Sequence, residues 1–471
     1  MKICLILEGS YPYVTGGVSN WVDGFIHALP EHKFILWSIS DQERKRGKFV
    51  YELPSNVVEV KEYFLDTALS LRVNRLRNTH YSQAEKEQFD QLIRCKSPDW
   101  NIILNSFNEK SKNPVELFMS EDFLTLVKNF CKEEYPFVGF AELFWTIRSM
   151  FLPLLFLIGQ PIPKADLYHS VSTGYAGILG ALGATKYKKP FVLTEHGIYT
   201  REREEEILRA DWVVPYLKEL WISMFYMYSR FAYQRAQQVT SLFKRASLIQ
   251  QELGCPENKC TVISNGIDVK KFTAIPMKKD DGWIDIAAIV RIAPIKDIKT
   301  MIYTFSRLKQ EVTNVRLHIL GSVDDEDYYQ ECLSLIEYLE VKDIEFTGVV
   351  DIPTYLQKID FTLLTSISEG QPFAILESLA ASRPLVATDV GSCRELIESE
   401  NGDAFGPAGI YVPPMHQTDL LNALIDMCRN KKMRLEMGRA GQERMKKSYN
   451  HQAMVDKYVK VYEKVKKAWQ A

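Results

Sequence analysis

Two carboxylates, Glu369 and Glu377, share the stretch TSISEGQPFAILESLAAS. Gly370 and Gln371 precede Pro372, a residue favoured at the first helical position, so the spacing predicts Glu369 in a loop and Glu377 near the second turn of a helix. Phe373, Leu376 and Ala380 mark the buried stripe of that helix, and Glu377 borders it. A carboxylate there needs partners, and a ribose diol would supply two hydroxyl donors; an ordinary amphipathic helix is the plainer alternative. A second group is Arg291 and Lys296 in VRIAPIKDI, at the end of a strand-like run. A diphosphate would suit them, the guanidinium as a fork and the ammonium as a point charge, whereas two solvated charges beside a helix start would need no ligand. The third is the pair Gly16-Gly17 in LEGSYPYVTGGVSNWV, just before a helical stretch predicted near Val18. Paired glycines let the backbone approach closely or adopt positive φ, and a helix start offers free amides to an anion; an ordinary surface turn is the alternative. Neither G-x-G-x-x-G nor the P-loop pattern G-x-x-x-x-G-K-[ST] occurs, which weighs against nicotinamide enzymes and P-loop NTPases.

These residues acquire meaning from the elements that would carry them. Apolar runs of strand length alternate with helical stretches, the pattern of parallel sheets wound by crossover helices. Six strand candidates fall in the first half, at 2–7, 34–38, 167–169, 191–194, 239–241 and 260–263, and six in the second, at 284–290, 315–320, 344–346, 361–364, 385–387 and 409–412. Two doubly wound domains follow, and in such sheets ligands bind beyond the carboxyl ends of the strands. The interval from about 60 to 165 far exceeds a crossover and reads as a helical insertion, with YSQAEKEQFDQLI and EDFLTLVKNF as examples. The turn pair in SNGID predicts a boundary after Asp268, giving a first domain over 1–268, a second over 269–448 and a final amphipathic helix over 449–471 packing back on the first.

Composition narrows the class. The chain has 471 residues, 46 % hydrophobic and 25 % charged, with net charge −2, so it reads as a globular protein without a global attraction for nucleic acid. Eight scattered cysteines contain no C-x-x-C; Cys255 and Cys260 alone make a weak metal signal, and reduced structural thiols of a cytoplasmic protein are expected. Met1 to Leu7 is too short for a signal peptide. Ser149 to Ile158, ten apolar residues interrupted by Pro153, is too short to span a bilayer and is expected to be buried against protein.

Taken together, Glu369 and Glu377 as E-x7-E, Arg291 and Lys296 upstream, and Gly16-Gly17 near the N-terminus resemble the retaining GT-B glycosyltransferases of family 4, over nearly the whole chain apart from the insertion. The resemblance implies an α/β fold of two doubly wound Rossmann-like domains facing a cleft. It implies a donor diphosphate between Gly16 and Gly17 on one side and Arg291 and Lys296 on the other. Glu369 would hold donor-sugar hydroxyls, backbone groups from Gly370 through Gln371 and Pro372 to Phe373 would support sugar and phosphate, and Glu377 would bind the ribose. His196, in TEHG, matches a family histidine near the transferred sugar, and Glu369, His196, Lys296 and Arg291 form the expected catalytic set. Where many relatives read E-G-F-G this chain has Glu369-Gly370-Gln371-Pro372-Phe373, a departure that bears on sugar choice.

The expected donor is a UDP-sugar, UDP-glucose or a UDP-N-acetylhexosamine, with no cofactor and no metal. A polysaccharide acceptor and inner-membrane synthase subunits are the expected partners, with recruitment to the inner face of the membrane. The D-x-D within Asp324 to Asp327 precedes a helical stretch, where acidic residues suit the helix N-terminus. The alternating charges of Arg201 to Glu206 read as a solvated helix or an acceptor contact, and Arg44 to Lys48 as an exposed loop. Rival functions are a nucleotide-sugar epimerase, a pyridoxal-dependent phosphorylase and a catalytically silent nucleotide-sugar scaffold.

Overall fold

The apolar runs pair into two all-parallel sheets in the computed structural model, which describes residues 1–72, 79–110, 113–398 and 403–470. The first contains β1 (Lys2–Glu8), β2 (Lys33–Ser40), β3 (Val57–Phe64), β4 (Leu167–Ser170), β5 (Phe191–Glu195), β6 (Gln238–Ser241) and β7 (Cys260–Val262), in the order β3-β2-β1-β4-β5-β6-β7. The second contains β8 (Ile284–Ile289), β9 (Val315–Leu320), β10 (Ile344–Gly348), β11 (Phe361–Leu364), β12 (Leu385–Thr388) and β13 (Gly409–Val412), in the order β10-β9-β8-β11-β12-β13. Central strands are continuously apolar because helices cover both faces; Ile3 to Leu7 of β1 are fully buried. In each sheet the winding reverses once, between β1 and β4 and between β8 and β11. The loops leaving two such neighbours part to opposite faces, and a crevice opens at their carboxyl ends.

Seven strands stand in the first sheet where six were expected. The unforeseen one, β3, is an edge strand whose sequence VVEVKEYF is broken by Glu59, Lys61 and Glu62. Such charges keep an edge from recruiting another chain, and they also disguise it as a loop. The insertion expected from about residue 60 therefore begins only after Phe64, with helices Leu65–Leu69, Gln83–Ile93, Trp100–Lys110, Pro114–Phe118, Glu121–Glu134 and Phe140–Ile158 before β4. The ten-residue run at Ser149 is the second half of that last helix, which has 19 residues with Pro153 inside. It is long and apolar enough to cross a membrane, and 61 % of its most apolar window is buried, with Leu143, Ile147 and Met150 packed in the first core. Each such side chain withdrawn from water contributes about 1.5–3 kcal/mol.

The chain divides into two units: residues 1–241 and 247–262, joined by residues from Val459 on, and residues 242–246 with 263–458. The first sheet thus ends at Val262, and the Asn265-Gly266 pair already belongs to the second unit. In the final helix, His451–Gln470, Met454, Val455, Tyr458, Tyr462 and Val465 are buried. Its later part lies in the first unit, where Tyr462 Oη is 2.6 Å from His169 Nδ1. All eight cysteines are free thiols, seven of them buried, and Cys255 and Cys260 bring their sulfurs to 3.4 Å.

Candidate functional site

In the second unit the residues of interest flank the reversal between β8 and β11. β8 ends at Ile289, and Arg291 follows with its side chain 65 % exposed and paired to Asp324 beyond β9. The two loops are fastened together: Ile292 bridges to Val323, and the amides of Asp324 and Asp325 both donate to the Ile292 carbonyl. This approach requires Gly321, whose φ is +154° and where a Cβ would lie 2.0 Å from the Val290 carbonyl oxygen. The cation that was expected to call for a ligand anion already has one of its own. Asp325, the first acid of the D-x-D, caps the helix Glu326–Tyr338 through the Tyr328 amide at 2.9 Å, and Asp324 just before it is committed to the ion pair.

Lys296 ends a short 3-10 turn, Pro294–Lys296, and Asp297 in the left-handed conformation caps the helix Ile298–Glu311. Thr365, just past β11, donates its hydroxyl to the Lys296 carbonyl at 2.9 Å, and the Ile367 amide donates to the Ile295 carbonyl at 2.9 Å. These bonds bring Lys296 Nζ to Glu369 Oε1 at 2.6 Å; the Ser366 hydroxyl donates to the same oxygen at 2.5 Å. Both partners are largely withdrawn from water, Lys296 being 15 % and Glu369 9 % exposed. The expected diphosphate cation and the expected sugar-binding carboxylate are thus one preformed pair.

After Glu369 the chain enters the helix Phe373–Ala380 one residue later than the sequence suggests. Pro372 is the residue before the first helical one, with φ −69° and ψ 125°, rather than its first member. The leading amides of such a helix have no partner within it, and its dipole favours negative charge there. Gly370 is tied back by the Ser392 amide at 3.0 Å. The Gln371 side chain is spent on the fold, which leaves its backbone as the part expected to support a donor: it is 6 % exposed and accepts the Asn265 amide at 2.6 Å. Phe373 is half-buried against the core of this unit. The Glu377 carboxylate makes no hydrogen bond or ion pair among the described residues; burial raises its pKa to about 7, opposed only by the positive charge of Lys271.

In the first unit the pair Gly16-Gly17 opens the helix Gly17–His27, with Gly16 as the residue before it. Gly16 is extended at φ 166°, and a Cβ there would meet nothing within 4 Å, so neither positive φ nor a close neighbour accounts for it. What glycine leaves is open space before the helix amides. On the same helix, Trp21 meets the His196 ring edge-on at 4.7 Å. His196 follows β5; it is half-buried, with Nε2 sealed from solvent and without a partner among the described residues. Burial lowers its pKa to about 4, so the imidazole is neutral at neutral pH.

Several strand-end groups escaped the sequence reading. Glu8, the last residue of β1, accepts the Tyr199 hydroxyl at 2.8 Å and the Ala176 amide at 3.1 Å; burial raises its pKa. Glu195, the last of β5, accepts from Tyr233 at 2.6 Å, Gln250 at 2.8 Å and Thr173 at 3.2 Å, and burial lifts its pKa to about 7. Both close apolar runs, the one signal by which they could have been found.

Two six-or-more-stranded parallel sheets in Rossmann order, each with polar groups gathered at its reversal, define the GT-B class of fold. Residues 1–258 match the model of a domain of unknown function, DUF3492, and residues 284–430 match Glycosyl transferases group 1. The chain belongs to the DUF3492 family. Among characterised relatives it is similar to an MMP alpha-(1->4)-mannosyltransferase of Mycolicibacterium hassiacum, 26 % identical over 60 % of this chain and 68 % of that protein. It is also similar to the amylovoran biosynthesis glycosyltransferase AmsK of Erwinia amylovora, 28 % identical over 33 % of this chain and 40 % of that protein. Among solved structures, Anabaena Alr3699/HepE in complex with UDP superposes with a TM-score of 0.62 at 15 % identity, over 98 % of this chain and all of that one.

Proposed function

We propose that this protein is a retaining glycosyltransferase that moves a sugar from a UDP-sugar, UDP-glucose or a UDP-N-acetylhexosamine, onto a growing exopolysaccharide in the cytoplasm. The observation that carries the reading is the Lys296–Glu369 pair at the β8/β11 reversal, beside a helix start and the unpartnered Glu377. Transfer breaks the bond between the anomeric carbon and the diphosphate oxygen and forms one to an acceptor hydroxyl. Negative charge grows on the departing diphosphate, where Lys296, Arg291 and the first amides of the Phe373–Ala380 helix would stabilise it. Glu369 would hold sugar hydroxyls and Glu377 the ribose. Retention follows if the acceptor attacks from the face the diphosphate leaves, its proton passing to the departing phosphate oxygen. Such chemistry needs no metal, and the prior commitments of Asp324 and Asp325 agree with that. In the first unit, the helix opened by Gly16-Gly17 would serve an anion, and neutral His196 would contact the transferred sugar.

The wordings LEGSYPYVTGGVSNWV, TEHGIYTREREEE and SISEGQPFAILE resemble PelF, the glycosyltransferase of Pel exopolysaccharide synthesis, and support a Pel-type acceptor, with synthase subunits at the inner membrane as partners of the insertion. UDP bound to the Anabaena protein agrees with the donor class. Calorimetric titration with UDP, GDP and ADP without metal, repeated on Arg291→Ala, tests the proposal: tight UDP binding that weakens in the variant is expected, and binding of none of the three would overturn it.

A further inference from the structure

β7 closes one edge of the first sheet with only three residues, paired to β6 as Val239–Cys260, Thr240–Thr261 and Ser241–Val262. The chain reaches it from the helix Lys244–Glu252 through the turn Gly254-Cys255-Pro256-Glu257-Asn258-Lys259. That turn folds Cys255 back onto Cys260, the first residue of the strand, and brings the two sulfurs into contact at 3.4 Å. Both sulfurs also reach the Pro256 carbonyl oxygen, Cys255 at 3.9 Å and Cys260 at 3.5 Å, so they lie on one side of the turn. Among the described residues no further histidine, cysteine or acid joins them in a group that could hold a metal ion.

The backbone holds the two thiols together. Gly254, at φ +101°, turns the chain out of the helix; the Cys255 amide donates to the Gln250 carbonyl at 2.9 Å and the Lys259 amide to the Pro256 carbonyl at 3.0 Å. Lys259 Nζ pins the turn to the end of the helix Lys218–Arg235, donating to the Gln234 carbonyl at 2.7 Å and the Tyr233 carbonyl at 3.4 Å. Cys260 is fixed from the other side by its place in the ladder. Two groups already held at contact lose little freedom when they join, and their reaction with each other outruns reaction with a solute. The thiols differ in access: Cys255 is 4 % exposed, and burial first, then the adjoining Cys260 sulfur, raises its pKa, whereas Cys260 is half-buried and meets solutes first.

We propose that Cys255 and Cys260 are a reversible redox pair, closed to a disulfide by a low-molecular-weight disulfide such as oxidised glutathione. The Cys260 thiolate attacks one sulfur of the glutathione disulfide, whose S–S bond breaks and releases one glutathione thiolate. The Cys255 sulfur, giving its proton to solvent, then attacks the Cys260 sulfur; the mixed S–S bond breaks and the second glutathione leaves. Two cysteine thiols are oxidised, one glutathione disulfide is reduced to two thiols, and a dithiol reverses the exchange. The new bond ties the first residue of the edge strand to the turn before it.

Lys259 makes the test direct, because trypsin cuts between the two cysteines. The full chain is held with excess glutathione disulfide at neutral pH until its free-thiol count is constant, then alkylated, unfolded and digested. The peptides ASLIQQELGCPENK (246–259) and CTVISNGIDVK (260–270) are expected to travel as one cross-linked species in mass spectrometry, with two of the eight thiols lost, and dithiothreitol to return both. Cys255→Ser is expected to stop at a glutathione adduct on Cys260, and Cys260→Ser to leave Cys255 unmodified. Retention of all eight thiols, glutathione left on Cys260 of the unsubstituted chain, or a cross-link that forms only after unfolding in urea would overturn the proposal.

Discussion

Lys296→Ala removes the cation that faces a carboxylate 9 % exposed and leaves Glu369 with the Ser366 hydroxyl as its remaining donor. Stripping one partner from a buried pair costs about 3–5 kcal/mol, and the retained hydroxyl bond places this case at the lower end, about 3 kcal/mol. Deleting both charges in Lys296→Ala/Glu369→Ala leaves nothing buried and ionised, so the double variant is expected to be more stable than Lys296→Ala by about 1–2 kcal/mol. Function moves differently. Without Lys296 the diphosphate loses a charge-assisted bond: UDP binding is expected to weaken about tenfold, and turnover to fall about 10²–10³-fold because the charge is greatest in the transition state. Glu369→Ala releases Lys296 from its partner, so UDP binds as tightly as before or more tightly while transfer is lost. Urea unfolding followed by fluorescence, with the transition that UDP shifts taken as the second unit's, gives the stabilities, and calorimetry gives the affinities. A Lys296→Ala protein that unfolds at the unsubstituted midpoint and binds UDP equally well would refute both the buried pair and the diphosphate role.

Two further outcomes follow from the same unit. Burial holds Glu377 protonated up to about pH 7, and ribose hydroxyls donate to its ionised form, so UDP affinity should rise by up to about tenfold in all from pH 6 to pH 8, most of it below pH 7, and should lose that rise in Glu377→Gln; equal slopes by calorimetry would remove Glu377 from the ribose. Gly321→Ala drives a methyl against the Val290 carbonyl at a φ unfavourable to alanine, and should cost more than about 3 kcal/mol in a thermal or urea melt; a shift of under 1 kcal/mol would show the loop free to move.

Much of this arrangement can be read without coordinates because parallel strands are buried on both faces and announce themselves as unbroken apolar runs. The edge strand β3 could not, since half of its surface faces water and its charges read as loop. Arg291, Lys296 and Glu369 are legible by position, each just past a strand in a doubly wound pattern. Their partners are not: nothing in the spacing says that Asp324 takes up Arg291 or that Asn265 occupies Gln371. Those bonds join loops from different strands, and only the sheet order brings them together. Glu8 and Glu195 were hidden for another reason: a carboxylate at the end of an apolar run looks like the point where the strand surfaces, whereas the structure buries Glu195 and half-buries Glu8.

The helix His451–Gln470 has a consequence for how the protein is made. The first unit encloses its own sheet only when Tyr462 reaches His169, Lys464 reaches Gln238 at 3.0 Å and Trp469 reaches the Lys188 carbonyl at 2.9 Å. Those side chains leave the ribosome after the whole second unit, roughly 200 residues behind β7, a delay of some 10–40 s at about 5–20 residues per second. Until then the buried faces of β4, β5 and β6 lack their last cover. Vectorial folding, in which the earlier unit is complete before the later one emerges, is therefore closed to this chain, and a nascent first unit is the species that a holding chaperone would be expected to meet.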